Sequence, residues 1–125
     1  MGQVDFKNLR KSFGSTNIID GLNLEIHNSE FLVLLGPSGC GKSTTLRLLA
    51  GLESVSSGTI SIDGCDVTEL EPRDRDIAMV FQNYALYPTM TVEQNIGFGL
   101  KAKKMSPKLI KEKVNEVADL LGLTH

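Results

Sequence analysis

The stretch EFLVLLGPSGCGKSTTLRLLAGL, Glu30 to Leu52, decides how the rest of the chain is read. Its first part, Phe31 to Leu35, is apolar at every position. A strand tolerates that only when both of its faces are covered, so a place inside a parallel sheet is expected. Its last part reads as a helix, with Leu46, Leu49 and Ala50 on one side and Gly51 as the C-terminal cap. Between them, Gly36-Pro37-Ser38-Gly39-Cys40-Gly41-Lys42-Ser43 fits the pattern G-x-x-x-x-G-K followed by S or T in full. Glycines let successive backbone N–H groups curl toward phosphate oxygens, and the helix N-terminus behind them favours anions. Lys42 supplies a compact positive charge for the β and γ phosphates of a nucleotide, and the Ser43 hydroxyl suits Mg²⁺. Thr44 is placed to add its N–H or hydroxyl on the α-phosphate side, and Cys40 is a neutral filler of the loop.

Working outward, Val4 to Phe6 and the alternating LNLEI of Leu22 to Ile26 read as half-exposed antiparallel strands, with turn chemistry over Gly14 to Asn17. SSGTISIDGCDV reads as a strand, an Asp63-Gly64 turn and a short second strand. Ile77 to Phe81 is a second wholly apolar stretch, expected to join the parallel sheet, and the charged EPRDRD precedes it as a loop. Thr91 and Gln94 form a capping-box pair that starts a helix from Val92 to about Lys101. Ser106-Pro107 opens another, in which Ile110, Val114, Val117 and Leu121 repeat on one face before Gly122.

The chain has 125 residues, 41% hydrophobic and 22% charged, with a net charge of −2. That balance fits one folded domain and gives no pull toward nucleic acid or anionic lipid. The KAKK run at Lys101 to Lys104 reads as a solvated helix end. No stretch reaches the roughly 18 apolar residues of a membrane span, and the first residues lack the apolar core of a secretory signal. Cys40 and Cys65 lack metal-site spacing and are expected as free thiols, and His27 and His125 as surface residues.

A phosphate loop alone serves many enzymes. Three further stretches narrow it: LRKSFG at Leu9 to Gly14, LRLLAGLESVSSGTISIDG at Leu46 to Gly64, and MVFQNYALYPTMTVEQNIGFGL at Met79 to Leu100. Together they closely resemble the ATP-binding subunit of ABC transporters, and within it the ATPases of bacterial sugar importers of the maltose and sn-glycerol-3-phosphate type. The resemblance implies an α/β fold of the phosphate-loop NTPase kind, a parallel sheet with flanking helices plus a small antiparallel β layer. It places that layer over about 1–30 and 58–70, the phosphate-loop core over 31–52 and 77–83, and the start of a helical subdomain over 84–125, all within one nucleotide-binding domain.

The resemblance also assigns roles. Phe13 matches the aromatic residue that stacks on adenine, and Gln82 the glutamine opening the Q-loop, whose amide ligates Mg²⁺ and holds the attacking water. The cofactors implied are ATP and Mg²⁺. The apolar, aromatic loop Tyr84 to Pro88 matches the region that contacts the transmembrane permease subunits. The complete protein is expected as a homodimer of ATPase subunits at the cytoplasmic face of the bacterial inner membrane. Between Met1 and His125 the signature sequence LSGGQ, a catalytic glutamate at the end of an acidic strand and the switch histidine are not found. The 125 residues therefore resemble the N-terminal half of such a domain, expected to bind nucleotide at most, not to hydrolyse it, and to leave an apolar sheet edge open. Two alternatives stand beside this reading: a nucleotide-binding fragment with no enzymatic role, and another phosphate-loop enzyme such as a small kinase.

Overall fold

In the computed structural model, which describes residues 2–124, strand β1 (Val4–Phe13) is the centre of the only sheet among the described residues. It pairs antiparallel with β2 (Thr16–Ile26) on one side and β3 (Ser57–Ile62) on the other, and β3 pairs with the short β4 (Cys65–Asp66), giving the order β2-β1-β3-β4. A two-residue Gly14-Ser15 turn joins β1 to β2, so that Phe13 pairs with Thr16. Asp63 and Gly64, both at positive φ, join β3 to β4 as the Asp-Gly pair requires. At the end of β4, the Asp66 carboxylate accepts from the Thr68 hydroxyl at 2.5 Å and its N–H at 2.9 Å, which lowers its pKa below the ordinary carboxylate value.

β1 is longer than its alternation suggests because it carries a bulge. Phe6 and Leu9 both point into the core, an odd spacing that the register accommodates by a shift between them on the β2 side. Asn8, at φ +49°, absorbs the extra residue, and its N–H donates to Asn23 Oδ1 at 2.9 Å. Gly58 is the residue facing it: a Cβ there would lie 2.3 Å from the Asn8 carbonyl oxygen, so no side chain fits.

Helix α1 (Lys42–Ala50) lies against this sheet. Its core residue is Leu48, packed with Phe6, Leu9, Ile19, Ile60 and Val67. The expected face is therefore corrected: Leu46 is 49% exposed, while Thr45, Leu48 and Ala50 are buried. In so short a helix with four apolar residues in five, the covering sheet, not periodicity, selects which of them is buried. Gly51 ends α1 in the left-handed region, as expected.

A second correction concerns the parallel sheet. Neither Phe31 to Leu35 nor Ile77 to Phe81 is a strand; both run as irregular chain, with Phe31 91% and Val80 89% exposed. A parallel pair holds only when both faces are covered, and two strands alone are marginal in water. Among the described residues no further strand lies beside them to form a layered sheet. The mixed α/β character, the antiparallel layer and the three helices stand.

The chain divides into two compact units, the first ending at Met79 and the second beginning at Val80. The second contains α2 (Val92–Ala102) and α3 (Pro107–Leu120). Thr91 and Gln94 form the reciprocal capping box, and Ser106 caps α3 with Pro107 at its first position. The helices pack where Gly97 meets Ile110 and Val114. The buried line of α3 is Val114 and Ala118, whereas Val117 and Leu121, expected on that face, are exposed. His27 is exposed, and His125 lies outside the described residues.

Candidate functional site

The loop from Gly36 to Gly41 leads straight into α1, and the left-handed backbone at Gly39 and Gly41 bends it there. Gly41, at φ +96°, sits 3.3 Å, measured from where a Cβ would be, from the carbonyl oxygen of Ile18 in β2. The positive φ strains any side chain there, and the close approach would require its neighbours to shift, so glycine suits the position. α1 has no side-chain cap at its N-terminus, and only Thr45 turns inward, its hydroxyl donating to Gly41 O at 2.8 Å. The first-turn N–H groups and the exposed Ser43 hydroxyl are thus available to a ligand at the positive end of the helix dipole.

Lys42 folds back over the loop. Its ammonium donates to the carbonyl oxygens of Gly36 and of Pro37, the latter at 3.3 Å. Pro37 O also accepts from Cys40 N at 3.3 Å, which closes the loop on itself. Ser38, Gly39 and Cys40 are exposed along its rim, and Thr44 is half-buried one turn into α1. The arrangement gathers backbone donors, one hydroxyl and one ammonium at a single helix end, a donor set that matches a phosphate chain with an associated divalent cation.

Phe13 belongs to the same unit. It stands at the tip of the β1–β2 hairpin, the hairpin whose Ile18 supports Gly41, and its ring is 47% exposed. Lys11 reaches under it: the Lys11 ammonium is 4.9 Å from the ring centroid, donates to Ser54 O at 2.5 Å and pairs with Glu53 at 3.5 Å. At 6% exposure, Lys11 is a buried cation that the sequence reading did not single out. One face of the aromatic ring is backed by a cation.

Gln82 lies in the second unit, exposed in the turn at residues 82–85, and the phosphate loop lies in the first. Within that second unit, Tyr84 and Ala85 both adopt positive φ, at 64° and 50°, an uncommon backbone for residues with a side chain. Tyr84 and Leu86 are exposed, and the Tyr87 ring packs against Phe98 of α2, the centroids 4.7 Å apart and the planes tilted by 41°. Asn95 fastens this loop to α2: its amide accepts from Tyr87 N at 2.9 Å and donates to Tyr87 O and Met90 O, each at 3.2 Å, and to Thr91 O at 2.9 Å. Sequence reading missed this role, since an asparagine inside a helical pattern carries no distinctive signal.

Arg75 was also missed, hidden in the charged EPRDRD run. It is 4% exposed and donates to four main-chain carbonyls: Nε to Leu70 at 2.8 Å, Nη1 to Leu48 at 2.8 Å and Leu49 at 3.1 Å, and Nη2 to Thr68 at 3.0 Å. Burial lowers its pKa from the ordinary arginine value, and the neighbouring Glu69 charge offsets part of that.

Among the described residues no helix is long and apolar enough to cross a membrane, and no group of three or more His, Cys, Asp or Glu side chains could hold a metal ion. Cys40 and Cys65 are free and exposed.

The family model described as ABC transporter matches residues 19–125. The sulfoquinovosyl glycerol transport ATP-binding protein of Agrobacterium fabrum is 50% identical over 125 residues, all of this chain and 35% of that protein. An uncharacterized ABC transporter ATP-binding protein of Bacillus subtilis is 52% identical over all of this chain and 34% of its own length. The sn-glycerol-3-phosphate import ATP-binding protein of Cereibacter sphaeroides is 51% identical over 98% of this chain and 35% of its own. The chain spans about a third of the length of these relatives.

Proposed function

Because the chain belongs to the ABC transporter family, we propose that it forms the nucleotide-binding N-terminal part of an importer ATPase, which energises uptake of a sugar or of sn-glycerol 3-phosphate. The observation that carries this reading is the glycine-bent loop Gly36–Gly41 opening onto the uncapped N-terminus of α1, with Lys42 and Ser43 at the bend. Names of relatives that include glycerol-phosphate import and sulfoquinovosyl glycerol transport support the solute class.

In this reading the N–H groups of Gly39 to Thr44 bind the phosphate chain, and Lys42 exchanges its contacts with the Gly36 and Pro37 carbonyls for β- and γ-phosphate oxygens. Ser43 and Gln82 would hold Mg²⁺, and Phe13 would offer the open face of its ring to adenine. ATP supplies the free energy of phosphoanhydride hydrolysis; the residues of this chain bind and orient it. Placing a base and completing the γ-phosphate cover fall to groups that these 125 residues do not contain. Tyr84 to Pro88 would seat against transmembrane permease subunits, since an exposed apolar loop held in an uncommon backbone conformation fits a docking surface better than a solvated turn. The complete protein would act as a homodimer, peripheral at the cytoplasmic face of the bacterial inner membrane.

The alternative from another class is a nucleotide-binding polypeptide without catalysis. Uptake separates the two. Source cells carrying Lys42→Ala are expected to lose accumulation of one labelled sugar or of labelled sn-glycerol 3-phosphate while other solutes enter normally. Unchanged uptake of every member of both classes would count against the importer reading.

A further inference from the structure

α1 is held at its two ends by different means. At the N-terminal end the phosphate loop leads into it; at the C-terminal end Gly51 N–H caps the Leu48 carbonyl at 3.1 Å, and the carbonyls of Leu48 and Leu49 also face a side chain from outside the helix. Arg75 occupies that end. Its guanidinium donates to both carbonyls and, through its other two nitrogens, to the carbonyls of Thr68 and Leu70 in the segment after β4. The fit is close: a Cβ on Gly51 would lie 2.7 Å from Arg75 Nε.

Filling this space alone would not call for arginine. Burying a guanidinium is costly, and an apolar side chain of similar volume fills a core at lower cost. What arginine adds is direction. The contacts of Leu48 with the sheet resist separation but resist sliding and rotation of a short rod only weakly, because dispersion is not directional. A planar fork bonded to acceptors on two chain segments fixes both, and its positive charge sits at the end of the helix where the dipole favours it.

We propose that Arg75 is a positioning residue for the nucleotide site: it fixes α1 along and about its axis, so that Lys42 and Ser43 at the opposite end stay in place beside the Gly36–Gly41 loop. The inference rests on the phosphate-loop reading above. It assigns to Arg75 a specific effect on nucleotide affinity, beyond a share in folding.

The test is MgATP affinity of the full-length protein, measured by equilibrium titration for the wild type, Lys42→Ala, Arg75→Lys and Arg75→Ala. Residues that orient the ligands of metal sites commonly cost on the order of 10- to 100-fold in affinity when removed, and by analogy a loss of that order is expected for Arg75→Ala. Arg75→Lys, which keeps the charge without the fork, is expected between it and the wild type. Millimolar methylguanidinium is expected to restore binding to Arg75→Ala, a response that general loosening of the fold would not give. Affinity within twofold of the wild type in either folded Arg75 variant overturns the proposal. So does a loss that follows the unfolded fraction and is untouched by methylguanidinium. Should Arg75→Ala fail to fold, Arg75→Lys decides alone, by weakened or unchanged affinity. A wild type that binds no MgATP, or a silent Lys42→Ala, instead brings down the phosphate-loop reading and this inference with it; MgATP binding that depends on Lys42 but not on Arg75 removes only the inference.

Discussion

At the scale of single residues, Phe13 is the most informative. An ordinary core phenylalanine would be buried, but this residue is half-exposed, with the Lys11 ammonium that Ser54 O and Glu53 hold in place 4.9 Å from its ring centroid. Stacking of a base on an aromatic ring contributes about 1–3 kcal/mol. Phe13→Ala is therefore expected to weaken MgATP binding by roughly 5- to 150-fold while leaving inorganic tripolyphosphate binding unchanged. Parallel titrations with the two ligands check it; equal losses for both would mean that Phe13 supports the fold and not the base. Lys11 itself was beyond reach of the sequence, because a lysine in an alternating strand normally faces water, and only the Asn8 bulge turns its position inward.

At the scale of elements, local signals were the legible ones. The Thr91–Gln94 capping box, Ser106-Pro107, Asp63-Gly64 and the Gly51 cap each involve residues within four positions of one another, and each stands where the sequence puts it. Features set by distant chain were not legible. The inward face of α1 depends on the sheet that covers Leu48, and the full length of β1 depends on Gly58, fifty residues away from Asn8 in sequence, making room for the bulge. Asn95 is of the same kind. One amide holds the Tyr87–Thr91 segment to α2: its oxygen accepts from Tyr87 N, and its two N–H hydrogens are shared among the Tyr87, Met90 and Thr91 carbonyls, a typical net hydrogen bond contributing about 1 kcal/mol. Asn95→Ala is expected to speed limited proteolysis between Tyr84 and Thr91 by about tenfold or more, with α3 unaffected. Unchanged cleavage in that segment would show that the Tyr87–Phe98 contact holds the loop without Asn95.

At the scale of the whole molecule, the apolar runs that announced a parallel sheet include some of its most exposed apolar residues. Phe31, Leu35 and Val80 are largely exposed, and the chain around them runs as irregular backbone. The runs suggested strands because their composition is that of a buried strand; their pairing could not be read, because it depends on neighbours. A polypeptide of these 125 residues alone is accordingly expected to self-associate and to melt broadly. Size-exclusion chromatography with calorimetry checks this, and a monodisperse monomer with one sharp, cooperative transition would contradict it.

The candidate site divides along the same line. Gly36 to Thr44 form a contiguous motif that carries its own local geometry, whereas the role of Phe13 comes from the family resemblance and not from a local signal. Gln82 has only its sequence context, in the second unit, to argue for it. The central claim, that nucleotide sits in the Gly36–Gly41 loop, is open to a direct measurement, since that loop carries an exposed thiol, Cys40, and β4 carries another, Cys65, as an internal reference. The rates at which both cysteines of the full-length protein react with an alkylating reagent should be compared with and without saturating MgATP. Nucleotide at about 100 times its dissociation constant is expected to slow Cys40 by about two orders of magnitude and to leave Cys65 unchanged; equal Cys40 rates in the two conditions would contradict the claim.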